Sequence, residues 1–246
     1  MVVPHLPTVL VIDSGIGGMS IVKQMRALSE NVNTLYIADN AFFPYGDLPH
    51  DVILSRLKSL ICMMQQSHAI DAVVIGCNTA TVLMIDKLRD AFAMPFVGIV
   101  PAIKTAAAIS QERKFTLLAT QNTAQSRYLD GLIDAFAQDC EVLRVGCPGL
   151  AEIAEEKIYG HPVSQARVEG IFERLCTKSQ AHLNDSDVIL LGCTHYAYVL
   201  PELKNHFSET QLVLEPSLPV AKRLMWVLEN QRQTTGHSLL KLGESS

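Results

Sequence analysis

Two similar α/β lobes with mostly parallel sheets, facing one another across a cleft, are the fold the sequence predicts, on three observations. Short β-branched apolar runs alternate with helical patterns along the chain, one strand-end segment recurs in each half, and 48% of the 246 residues are apolar against 18% charged. That composition buries enough surface to offset chain entropy. Repeated strand-then-helix units require crossover connections and therefore parallel pairing, with helices on both faces of the sheet.

The elements follow in order. Residues 8–12 (TVLVI), 34–38, 72–75 (AVVI) and 96–99 are compact apolar runs bounded by polar or turn-forming residues and read as buried strands. Helical patterns at 20–28, 51–68 and 81–92 fill the gaps between them. A crossover near Pro101 opens a second set of strands at 115–118, 142–145, 188–191 and 211–214, with helices at 123–136 and 164–177. A last helix is expected at 218–230, and the tail from Gln231 is polar apart from an apolar stretch at 239–242. The repeat pairs Asp71-Ala-Val-Val-Ile-Gly-Cys77 with Asp187-Val-Ile-Leu-Leu-Gly-Cys193, and more weakly 8–18 with 115–125. Residues 1–100 plus 213–246 are assigned to one lobe and 101–212 to the other.

Composition also excludes classes of function. A formal charge of -5 leaves no cationic surplus to neutralise a phosphate backbone, so nucleic acid is not an expected partner. The apolar runs fall far short of the roughly 20 residues that span a bilayer, so no membrane association is expected. The first residues carry neither a basic region nor a small-residue cleavage site, and a cytoplasmic protein is expected. Cysteines 62, 77, 140, 147, 176 and 193 are irregularly spaced and form no CxxC pair. Free thiols follow, with neither a disulfide framework nor a metal site.

In doubly wound sheets ligands sit beyond the carboxyl ends of the strands. There, Cys77 and Cys193 occupy matching positions, one in each lobe. At a helix N-terminus a thiol is expected to be drawn toward the thiolate, which acts as a base. Alone, either Cys reads more readily as a small buried apolar residue, the commonest fate of a free thiol; the pairing across a repeat favours chemistry. Asn78, Thr79, Thr194 and His195 follow the two cysteines, with donors suited to a carboxylate, although Asn and Thr also cap helices routinely. Asp13, ending the first strand, is either a cap or an acidic group that accepts a substrate ammonium or tunes a thiol. Asp39 ends the next strand, and Phe43-Pro44-Tyr45-Gly46 forms a tight loop suited to closing over a ligand. The glycines of 13–18 fit neither a dinucleotide fingerprint nor a phosphate loop. His5, His50, His68, His161, His182, His206 and His237 are expected at the surface.

DSGIGG at 13–18, PYG at 44–46, GCNTAT at 76–81 and LGCTHY at 191–196 together resemble the glutamate racemases of the aspartate/glutamate racemase superfamily. That resemblance implies a cofactor-independent isomerase that supplies D-glutamate for peptidoglycan, usually as a homodimer. It makes Cys77 and Cys193 the acid/base pair, supported by Asp13, His195 and Glu155. It places Asp13, Ser14, Tyr45, Gly46, Asn78, Thr79, Thr120, Thr123, Thr194 and His195 around the substrate. Around Glu155 the sequence has CPGLAE where the family usually has Leu-Phe after Cys-Pro, which leaves Glu156 as the other candidate for the acidic helper. Aspartate racemisation is the nearest rival activity. A two-lobed solute binder is the rival from another class, although a binder has no need of two matched thiols.

Overall fold

The structure, a computed structural model, describes residues 6–174 and 177–243. The expectations for His5 and Cys176, and those for the side chains of His237 and 239–242, lie outside the described residues. The first sheet comprises β1 (Thr8–Asp13), β2 (Asn33–Ala38), β3 (Ala72–Ile75) and β4 (Phe96–Gly98), all parallel in the order β2-β1-β3-β4. The second comprises β5 (Lys114–Ala119), β6 (Glu141–Gly146), β7 (Val188–Gly192) and β8 (Leu212–Leu214), again parallel, in the order β6-β5-β7-β8. Every strand expected from the sequence is present, and the two sheets share one topology.

The helices are α1 (Met19–Leu28), α2 (His50–Gln65), α3 (Asn78–Ala91), α4 (Ile103–Ile109), α5 (Gln121–Ala124), α6 (Arg127–Phe136), α7 (Leu150–Ile158), α8 (Gln165–Phe172), α9 (Thr177–Asp185), α10 (Leu200–Leu203) and α11 (Ser217–Gly243). Four of them, α4, α7, α9 and α10, have no counterpart in the sequence expectation, because each spans only four to nine residues, too few for an apolar period to stand out. The α4 segment is Ala-rich and has no side-chain cap, α7 starts abruptly after Gly149 at φ 83, and α9 is almost wholly polar. The expected helix at 123–136 is two helices, because Ser126 restarts the chain as a cap whose Oγ accepts from Leu129 N–H at 3.3 Å. The helix expected at 164–177 ends earlier, at Phe172.

The core lies on the sheet faces. Val9, Leu10, Val11 and Ile12 of β1 alternate between the two faces, Leu10 and Ile12 packing with α2 and α3, Val9 and Val11 with α1 and α11. Fully burying a Val or Ile contributes about 1.5–3 kcal/mol, so central strands of this kind anchor each sheet. The repeated aspartates tie strand starts together. Asp71 accepts from Thr8 N–H at 2.7 Å, and Asp187 accepts from Ser110 Oγ at 2.7 Å and from the Gln111 and Glu112 amides. After β8 the chain returns to the first sheet, where Val220, Ala221, Leu224 and Leu228 of α11 pack with Val9 and Val74. Among the described residues no helix is long and apolar enough to cross a membrane.

Candidate active site

In each sheet the strand order reverses direction between the first and third strands of its set, and a topological switch point of that kind opens a crevice at the carboxyl edge. The residues that leave those strand ends are Asp13 and Ser14 after β1, Cys77 after β3, Thr120 after β5 and Cys193 after β7. The repeat therefore delivers one thiol to each switch point.

Contacts across the lobes then assemble a single site. Thr194 Oγ1 donates to Asp13 Oδ2 at 3.0 Å, and Ile16 N–H donates to both Glu155 oxygens at 3.3 Å. Thr79 Oγ1 lies 2.8 Å from Thr120 Oγ1 and 3.3 Å from Thr123 Oγ1, so three hydroxyls from α3 and the β5–α5 turn form one cluster. Asn122 Nδ2 donates to the carbonyl of Gly46 at 2.6 Å. Every site residue named from the sequence except Asn78 is hydrogen-bonded to another member of this constellation or to its supporting loops, and Asn78 sits beside Cys77 in the first turn of α3.

The alternative roles as helix caps are not the ones adopted. Asp13 accepts from Gly15 N–H at 3.1 Å and does not cap α1, whose N-cap is Gly18. Cys77, not Asn78, is the N-cap of α3, and neither end of the buried Asn78 amide has a hydrogen-bond partner. A buried amide left in that state costs free energy unless a ligand meets it. Cys193 does not open an α-helix as expected; a 3-10 turn, Thr194–Val199, follows it.

The two thiols have different neighbours. Burial pushes the Cys77 thiol up from its ordinary value, and the neighbouring Asp13 and Cys193 charges push the same way. The Ala80 amide in the first turn of α3 and Ser14 Oγ, 4.0 Å from the sulfur, oppose that shift but are outweighed. The expected pull of the helix terminus toward thiolate is thus real but loses to desolvation. On the other side His195 Nδ1 lies 3.9 Å from Cys193 Sγ, and its Nε2 lies 2.7 Å from Glu155 Oε2. Burial lowers the His195 pKa, but the hydrogen bonds to Cys193 and Glu155, with the charges of Cys193 and Asp13, carry it up to about 10. An imidazolium therefore stands beside Cys193 at neutral pH. Burial raises the Asp13 carboxyl from its ordinary value, with His195 opposing.

The helical turn points the neighbouring glutamates apart. Glu155 faces inward to His195, whereas Glu156 faces outward to Arg167 at 2.5 Å. Tyr36 carried no sequence signal, whereas Asp39 and the 43–46 loop were named from the sequence without their partners. Tyr36 OH donates to the Gly15 carbonyl at 2.8 Å, Tyr45 OH donates to Asp39 at 2.7 Å, and Phe43 lies 5.3 Å from the His195 ring. Cys147, buried at the end of β6, has its thiol pushed up to about 12 by burial and by Cys193. Of the histidines expected at the surface, His50, His68 and His161 are exposed, while His182 and His206 are half-buried, His206 stacked on Phe172 at 4.2 Å. Among the described residues no group of three or more His, Cys, Asp or Glu is placed to hold a metal ion.

Comparison with known proteins places this arrangement. A sequence model described as Asp/Glu/Hydantoin racemase matches residues 11–220. A glutamate racemase of Haemophilus influenzae is 40% identical over 225 residues, covering 92% of this chain and 82% of that protein. One of Pectobacterium atrosepticum is 36% identical over 92% of this chain and 78% of that protein. The crystal structure of Escherichia coli glutamate racemase in complex with L-glutamate and the activator UDP-MurNAc-ala superposes with a TM-score of 0.83 at 33% identity, covering 92% of this chain and 83% of that one.

Proposed function

Because this chain belongs to the Asp/Glu/hydantoin racemase family, we propose that it interconverts L- and D-glutamate without a cofactor, Cys77 and Cys193 acting on opposite faces of the substrate Cα. It is an amino-acid isomerase by its relationship to glutamate racemases along nearly its whole length. The observation that carries the mechanism is the pair of thiols at equivalent switch points of two like sheets, joined through the Ser14–Cys77 and Thr194–Asp13 contacts.

In the forward step one thiolate takes the Cα proton, forming an S–H bond and leaving the electron pair of the C–H bond on the substrate as a carbanion. The opposite thiol then delivers its own proton to the other face and becomes the thiolate, so each turnover exchanges the roles of the two sulfurs. The unequal environments support a resting division of labour. Cys77, buried and beside Asp13, is the proton donor, and Cys193, beside the His195 imidazolium, is the base. Glu155 orients His195, and Asp13, with Ser14, serves the Cys77 side. Asn78, the Thr79, Thr120, Thr123 and Thr194 hydroxyls and the backbone of Tyr45 and Gly46 line the place where carboxylates are held and water excluded. In the cell the enzyme supplies D-glutamate for peptidoglycan in the cytoplasm, acting as a homodimer, the state its resemblance implies.

Circular dichroism of L-glutamate with the pure protein, free of pyridoxal phosphate and added metal, is expected to decay to zero, with deuterium entering Cα in D2O. A persistent signal would mean a binder. Cys77→Ala and Cys193→Ala should each slow racemisation by about 10³-fold, the middle of the range for a single acid or base. A rate near the parent's in either variant overturns the two-base mechanism.

A further inference from the structure

Arg56 lies on α2, on the first lobe, and no step of the mechanism uses it. Its guanidinium nevertheless takes hold of a segment that reaches the opposite lobe. Nε donates to Asp39 Oδ1 at 3.1 Å and Oδ2 at 2.9 Å, and Nη2 donates to Oδ1 at 2.6 Å. Asp39 is 2% exposed, so this bidentate pair is desolvated on the carboxylate side and geometrically demanding. The same guanidinium lies over the Phe42 ring at 4.6 Å. Asp39 in turn accepts from Tyr45 OH at 2.7 Å, and its own N–H donates to the carbonyl of Asp13 at 2.9 Å. One cation thus fixes residue 39 at the start of the loop, Phe42 in its middle and Tyr45 near its end.

That loop is part of what the first lobe presents to the second. Asn40 Nδ2 donates to Tyr159 OH at 3.1 Å, Phe43 packs 5.3 Å from the His195 ring, and the Gly46 carbonyl accepts from Asn122 at 2.6 Å. Three contacts to the opposite lobe therefore depend on a backbone whose position is set from behind.

We propose that Arg56, acting through Asp39, is a positioning residue for the 40–47 loop and so for the affinity of the closed site for its substrate. The substrate half of this rests on the glutamate racemase reading, whereas the loop half does not. Arg56 and Asp39 bind no substrate atom. Their effect is to present Tyr45 and Gly46 in one place without the entropic cost of ordering them at each binding event.

Amide hydrogen exchange on the full chain without ligand separates this role from a general one. The Phe42, Phe43, Asp47 and Leu48 amides are hydrogen-bonded within the loop. In Arg56→Ala they should exchange at least tenfold faster while β1, β3, β5 and β7 keep the parent's protection. The KM for L-glutamate should rise tenfold or more, with kcat within threefold of the parent's. Arg56→Lys, which keeps the charge but loses the fork, should fall between the two, and it carries the test if Arg56→Ala does not fold. Unchanged exchange over 40–47, or an equal acceleration throughout the chain, overturns the positioning role. Accelerated exchange with an unchanged KM overturns the link to substrate affinity. A parent protein that racemises nothing sinks the glutamate reading, and the exchange result still decides the loop.

Discussion

His195 shows how one side chain couples chemistry to stability. Its folded pKa of about 10 stands above the 6.5 expected of an unfolded histidine, so protonation favours the folded chain. The contribution is complete below about pH 6.5 and drains away as the pH climbs toward 10. His195→Asn, which removes the charge at similar size, should therefore lose stability most at pH 6 and least at pH 10. Urea midpoints measured at intervals between those values check it, and a gap between parent and variant that does not narrow with rising pH contradicts the assignment. The two cysteines of this candidate site were legible in the sequence as single residues, because they recur after Gly at matching strand ends, whereas Ser14, Thr120, Thr123 and Glu155 came only from the family resemblance. The Glu155–Glu156 choice was not legible, since successive residues on a helix point about 100° apart and only the packed orientation of α7 decides which one meets His195. Nor were Arg56, Tyr36 or Asn122, whose roles depend on partners 17, 21 and 76 positions away in sequence.

At the scale of elements, strands were easier to read than helices. A β-strand buried on both faces must be apolar throughout, as AVVI at 72–75 and VILLG at 188–192 are, and little else in a chain of this kind looks the same. Short helices supported by neighbours need no such signature, which is why α4, α7 and α9 did not declare themselves. The break between α5 and α6 is instructive, because the apolar pattern runs through it. Ser126 ends α5 and starts α6: its Oγ donates to the Thr123 carbonyl at 2.9 Å and accepts from Leu129 N–H at 3.3 Å. Ser126→Ala should cost about 1 kcal/mol, the usual worth of such a cap, and Ser126→Asp should retain most of it. Denaturant midpoints of the two variants are the check, and equal loss in both would mean that packing and not capping holds the break.

For the whole molecule the decisive quantity is the spacing between lobes, and Gly17 measures it. A Cβ built at Gly17 would lie 2.6 Å from His195 Nδ1 and 2.7 Å from Thr194 Oγ1, both from the opposite lobe. Neither neighbour is free to swing aside, since His195 is held by Glu155 at 2.7 Å and Thr194 by Asp13 at 3.0 Å. A methyl group there has to push the lobes apart, or break one of those two bonds, before the site can close. The same displacement would stretch the Ile16–Glu155 and Thr79–Thr120 contacts that span the cleft. Gly17 lies outside both sheets and their cores, so each lobe should fold as before. Gly17→Ala is therefore expected to lower kcat/KM about 100-fold, the scale set by an ångström of misplacement between reacting groups, with little change in Tm. Small-angle scattering in saturating L-glutamate should give the variant a larger radius of gyration than the parent. Parent-like kcat/KM in a variant that melts normally would show that the cleft tolerates a wider spacing, and that catalysis does not require the close approach of the first glycine loop to His195.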